Sequence, residues 1–266
     1  IRYSDWSSDV CSSDLKTSGG NGIYGVGKLT ISDNAAITNA TGGNATSIDG
    51  TGGSGIFSDG KLSIEKATIT NATGGNADNG TGGSGILGKT MEILTSTIKK
   101  ATGGRSTGKE SYHTGGAGIS SYGGLTIQGG TTVQAVGGNA DGGNADSGNG
   151  GSGIRSGSLS ISGGTISATG GTISATGGSG KSGGAGIDSS GTVSISDGKI
   201  EQAAGGRATG EDGTGGSGIR SNGTLTIKGG EIQQTSGGDG IHSGSVVNIW
   251  GGTITKATGG SGKSGG

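Results

Sequence analysis

The sequence predicts an all-β fold, a single-stranded parallel β-helix (β-solenoid) of about eight coils with three short strands each. Three observations point there. The string Gly-Gly-x-Gly-Ile recurs eight times, ending at Ile23, Ile56, Ile86, Ile119, Ile154, Ile187, Ile219 and Ile241. Two further apolar stations follow each of these in turn. Finally, Ile outnumbers Leu 26 to 8 and Pro is absent, which favours strand over helix.

Each coil opens on the Ile that closes Gly-Gly-x-Gly-Ile. Seven or eight residues later comes the second station, at Ile31, Ile64, Ile93, Ile127, Ile161, Ile195, Ile227 and Ile249. Most coils place a companion two residues earlier, at Leu29, Leu62, Leu125, Leu159, Val193 and Leu225. Leu-Thr-Ile at 29–31 alternates apolar and polar residues, the pattern of a strand with one buried face. The third station is Ile37, Ile69, Ile98, Val133, Ile166, Ile200, Ile232 and Ile254, and Ala-Thr-Gly-Gly or a relative of it follows. No repeat of this size buries its own Ile residues, whereas stacked repeats bury one over another at about 4.8 Å.

The spacings between first stations are 33, 30, 33, 35, 33, 32 and 22 residues. The extra residues fall at one place, between Ala-Thr-Gly-Gly and the next Gly-Gly-x-Gly-Ile. A loop at one corner leaves stacked strands in register, so this is the expected site of insertion. The glycines, 71 of 266 residues, are expected to serve tight corners with positive φ.

Composition excludes several classes. Leu, Ile, Val and Phe make up only 42 residues, too few for one thick globular core. Glycine lacks a period of three, which excludes collagen. No apolar run approaches the ~20 residues of a membrane-spanning helix. A net charge of −1 without a basic stripe argues against nucleic acid as partner.

The N-terminus reads differently. Asp5 to Leu15, DWSSDVCSSDL, resembles the conceptual translation of a sequencing-library adapter. Residues 1–15 are therefore expected to be adapter-derived and unstructured, and residues 16–266 to form the solenoid, truncated at both ends. Cys11, the only cysteine, falls in the first part, so no disulfide or thiol chemistry is expected of the second. At the other end Gly259–Gly266 repeats Gly177–Gly184, which runs on to Ile187; the chain stops inside a repeat.

The pattern Gly-Ile…Leu-Thr-Ile…Gly-Gly-Thr-Ile…Ala-Thr-Gly-Gly, over residues 19–260, resembles the Gly-rich parallel β-helix repeat regions of bacterial surface proteins, among them the carbohydrate-binding domain-containing type. The resemblance implies an extracellular or wall-attached, non-enzymatic segment with a structural or adhesive role and glycans or cell-surface components as partners. It also implies a right-handed coil, because strict left-handed coils rarely absorb such variable insertions. A carbohydrate-binding module of a secreted polysaccharide-active protein is the alternative, and a polysaccharide lyase or hydrolase a more distant one.

Candidate ligand-binding residues are few. Tyr24 and Phe57 hold the same position in adjacent coils and form a candidate glycan patch. Asp78, Asp141, Asp146 and Asp212 lie in the inserted corners, where hard oxygen ligands suit Ca²⁺. They keep no fixed place from coil to coil, so solvated acids are the simpler reading. One residue beyond the first station come Arg155, Asp188, Arg220 and His242, of which the first three make an alternating-charge ladder if stacked. Catalysis is not expected: acids are sparse, and His113 and His242 are the only histidines. Ala175 to Ser182 (ATGGSGKS) fits a relaxed phosphate-loop pattern, but the glycines that follow are poor helix material. Outward residues such as Thr30, Ser63 and Glu92 form no clean Thr row of the kind that meets ice.

Overall fold

The computed structural model describes residues 18–47, 49–107, 113–141, 148–169, 173–174, 179–208 and 212–260, with the backbone alone at 167–169, 173–174, 179–181 and 212. Residues 1–17, Asp146 and Tyr112 lie outside them, so the N-terminal expectation has no structural counterpart. Every helix or strand among the described residues is a strand, and all the strand pairings are parallel. The parallel strands stack into a β-solenoid.

The three predicted stations are three continuous columns. Ile23, Ile56, Ile86, Ile119, Ile154, Ile187, Ile219 and Ile241 are Cα partners from one coil to the next. The second column runs from Ile31 to Ile249. The third runs from Ile37 through Val133 to Ile254. Interior members such as Ile56, Ile93 and Ile166 are fully buried. Each removes a whole side chain from water, worth roughly 1.5–3 kcal/mol. Met91 fills the companion column between Leu62 and Leu125. A further inward column is built from the alanine of Ala-Thr-Gly-Gly: Ala40, Ala72, Ala101 and Ala135 stack in order and are buried.

The strands are longer than the sequence suggests. Ile56–Glu65 and Ile119–Gln128 each run through the first corner and join two predicted strands into one. Their register shifts at that corner, between Ser58 and Lys61 and between Ser121 and Gly124. The bulge lets the chain turn while the ladder continues.

The expectation for glycine holds at one set of corners. Among the described residues ten glycines have positive φ, among them Gly129–Gly130, Gly163–Gly164, Gly230 and Gly252 in the pairs before the third station, but of the Gly-Gly pairs that flank the inserted corners only Gly237 does. The flanking pairs serve close backbone approach instead. The chain leaves the body of a coil at Gly74–Gly75 and returns at Gly82–Gly83. A Cβ on Gly74 would lie 1.9 Å from the Gly83 carbonyl oxygen, and one on Gly83 would lie 2.0 Å from that of Gly53. These contacts carry hydrogen bonds: Gly75 N–H donates to Gly53 O at 2.8 Å, Gly83 to Gly75 at 2.8 Å and Gly104 to Gly83 at 2.7 Å. The series runs without a break from Gly151 to Gly20 and again from Gly260 to Gly184. All its N–H groups point towards the N-terminal end. Peptide groups aligned in this way polarise one another.

Beyond this neck the inserted corners remain in register. Ala45, Ala77, Ser106 and Ala140 form one column of bridges, and Thr51, Thr81, Thr114, Asn149 and Ser182 another. Side-chain oxygens help: the Asn44 carbonyl oxygen accepts from Asn76 N–H, and that of Asn76 from Arg105 N–H, both at 2.8 Å. The described arms of these inserts thus stay laddered although the inserts differ in length.

Candidate binding face

The outward residue after each first-station Ile makes one column along a single face of the solenoid. It reads Tyr24, Phe57, Leu87, Ser120, Arg155, Asp188, Arg220 and His242. The predicted charge ladder is thus in register. Its apolar residues occupy the N-terminal part of the face and its charges the C-terminal part.

Tyr24 and Phe57 stack on each other, ring centroids 5.3 Å apart and planes 10° from parallel. Each ring covers one face of the other, which reduces the flat surface open to a sugar. The Tyr24 hydroxyl donates to Asp59 Oδ2 at 3.3 Å. Desolvation and the neighbouring Asp59 carboxylate raise the Tyr24 pKa above its ordinary value. Asp59 also accepts from Gly27 N–H, so one carboxylate ties the tyrosine to the turn.

Asp188 and Arg220 form a two-pronged pair. Arg220 Nε donates to Asp188 Oδ1 and a terminal guanidinium nitrogen to Oδ2, each at 2.8 Å. Asp188 is only 9 % exposed. The hydrogen bond to Asp188 raises the Arg220 pKa; burial works against it. His242, one coil further, pairs through Nδ1 with Asp239 at 2.9 Å. Arg155 forms neither an ion pair nor a side-chain hydrogen bond among the described residues.

Two concave regions flank this column. One, of about 250 Å³, is bounded by Ser120, Tyr122, Arg155, Asp188, Arg220 and Asn222. The other, of about 380 Å³, lies between Thr214, Arg220, Asp239 and His242. It sits where the coil opened by Ile219 lacks an inserted corner: Asp239 alone separates Gly238 from Gly240. Tyr122 is 72 % exposed, the freest tyrosine of the face.

Asp78 and Asp141 share a column of the inserted corners, separated by the coil that carries Thr107. Asp141 is ion-paired with Arg105. Asp146 lies outside the described residues, as does the side chain of Asp212. Among the described residues no three Asp, Glu, His or Cys side chains converge as a metal site would need. Ser179–Ser182, the end of the phosphate-loop match, is a strand paired with Asp212–Thr214, where a phosphate loop needs a helix. No helix of the described residues is long and apolar enough to cross a membrane.

One further inward feature lies beside the first station. Two residues after the first-station Ile stands a serine at Ser58, Ser121, Ser156, Ser189, Ser221 and Ser243. Most of these hydroxyls donate to carbonyl groups of the corner: Ser221 to Gly191 O at 2.8 Å and Ser243 to Gly223 O at 2.7 Å. Ser156 is the exception, with its buried Oγ unpaired. Gly-Ile-x-Ser recurs in five coils besides that of Ser58, and strand alternation from the buried Ile turns its serine inward; the carbonyl that each hydroxyl meets is not legible in the string.

Comparisons with protein-family models, with curated proteins and with solved structures find no match. The fold defines the chain as a β-solenoid repeat protein, and fold alone does not specify function.

Proposed function

We propose that this chain is a non-enzymatic structural and adhesive segment of an extracellular bacterial surface protein, and that its outward first-station face binds glycans. In this reading the solenoid is a right-handed coil of eight turns. The observation that carries it is the outward column from Tyr24 to His242, which holds a stacked aromatic pair, hydroxyls and charges at the fixed interval of one coil. A repeating polymer such as a polysaccharide matches a repeating surface. The laddered inserts add a second row of exposed polar groups.

A glycan array probed with the folded solenoid tests this. Retention of one polysaccharide class is expected, and no retention above background across all classes sinks the glycan reading. The alternative, a binding module of a polysaccharide-active protein, draws on the open grooves beside Arg220. Release of reducing or unsaturated ends from the retained glycan would overturn the non-enzymatic part of the proposal.

A further inference from the structure

The groove beside Tyr122 is a more specific feature than the face as a whole. Its charges do not cancel. Both oxygens of Asp188 are engaged by Arg220, so that carboxylate is neutralised within the ladder. Arg155 lies one coil to the other side, at the strand spacing of about 4.8 Å. It is exposed and has no carboxylate of its own among the described residues. One guanidinium charge is therefore left in a groove of about 250 Å³.

We propose that this groove binds an acidic ring of a carboxylated or sulfated glycan, with Arg155 taking the anion and Tyr122 the ring. The inference rests on the glycan reading above. A guanidinium presents a planar fork that matches carboxylate and sulfate oxygens with two parallel hydrogen bonds. The exposed Tyr122 ring offers a flat apolar surface to the C–H face of a pyranose, with a polar tip beside it. Ser120, Ser190 and Asn222 line the same groove and supply neutral donors and acceptors for hydroxyls. Its volume is below the roughly 300–1,000 Å³ of sites that enclose a whole ligand. It therefore seats one ring of a chain that continues along the face. Nucleic acid fits poorly, since each phosphate neutralised needs its own cation and the groove has one to spare.

Three polymers of one backbone separate charge from sugar: dextran, carboxymethyl dextran and dextran sulfate. Binding of each is measured near physiological ionic strength, where the screening length is about 8 Å. The proteins are the wild type, Arg155→Gln, Tyr122→Ala and a charge control, Lys99→Gln, which removes an exposed cation from another face. The wild type is expected to prefer the two charged polymers. Arg155→Gln should lose that preference by about ten-fold, the scale of one charge-assisted hydrogen bond, with its circular dichroism unchanged. Tyr122→Ala should weaken binding to all three, and Lys99→Gln should leave it intact. Equal losses in Arg155→Gln and Lys99→Gln would show diffuse charge attraction and overturn the proposal. A wild type that holds dextran as well as its charged forms overturns this inference alone and leaves the glycan reading standing. Failure to retain any glycan on the broad array removes both.

Discussion

The amide of Gly53 donates to the carbonyl of Gly43 at 2.8 Å, across the neck where one coil sends out and takes back its inserted corner. A Cβ at Gly53 would lie 2.0 Å from the carbonyl oxygen of Gly20 in the preceding coil. The obstacle is backbone on a laddered segment, which cannot swing aside as a side chain can. Gly53→Ala is expected to cost about 2 kcal/mol or more, the upper part of the overpacking range. Gly124→Ala is the control: its Cβ would meet only Ser158 Oγ, at 3.5 Å. Urea denaturation of the two variants checks this. Equal midpoints would mean that the neck yields and that close approach is not what the Gly-Gly pairs supply.

The isoleucine columns predict a strong dependence on position. Ile93 is fully buried between Ile64 and Ile127, and Ile93→Ala should cost about 2–5 kcal/mol. Ile249 belongs to the same column but is 53 % exposed in the last described coil. Ile249→Ala removes little buried surface and should cost under about 1 kcal/mol. Chemical denaturation of both variants, followed by far-ultraviolet circular dichroism, gives the comparison. Similar losses would show that the column is not packed as described.

The inward serines make an internal control. Ser221→Ala deletes a donor to Gly191 O and is expected to cost about 0.5–1.5 kcal/mol. Ser156 has a buried hydroxyl without a partner, so Ser156→Ala should be neutral or stabilising. Thermal melts of the two variants should move in different directions or by clearly different amounts. A larger loss at Ser156 would contradict the geometry of the corner.

Tyr24 should titrate above the ordinary tyrosine value of about 10, because desolvation and the Asp59 carboxylate both disfavour the phenolate. Asp59→Asn removes the charge and should bring the midpoint down. The sign for stability follows from linkage: the folded state holds the Tyr24 proton more tightly than the unfolded chain. This contribution is fully present below the unfolded value and is lost as pH rises through the folded one. A spectrophotometric titration at 295 nm of wild type and Asp59→Asn reads the shift. An unchanged midpoint in the variant would remove Asp59 as a cause.

Much of the architecture was legible in the string. The three Ile stations, their common phase and the single place of insertion were read directly, because a column of identical residues leaves a period in the sequence. The charge ladder of Arg155, Asp188 and Arg220 was legible for the same reason. Roles that depend on contact through space were not. Ser58 and Ser221 turn inward by the alternation of their strands, but the carbonyl groups their hydroxyls meet belong to the preceding coil and leave no spacing to read. The stack of Tyr24 on Phe57 was legible from their shared place in adjacent coils, but not how much of each ring face it covers. Tyr122 had no pattern to mark it, and the turn of the chain after Ser121 places it on the groove of Arg155 and Arg220.

The sequence by itself determined that this chain stacks. Apolar residues recur at intervals no isolated repeat can bury, and parallel pairing of successive coils satisfies them all at once. Only the tertiary structure decided why the Gly-Gly pairs are glycine and where the uncompensated charge lies. Gly74 and Gly83 meet through space, across an insert whose length varies, so their contact leaves no fixed spacing to read. Arg155 and Arg220 look equivalent in the string. They differ because the Asp188 carboxylate turns towards Arg220 and binds it with both oxygens, a choice of side-chain geometry that no periodicity encodes.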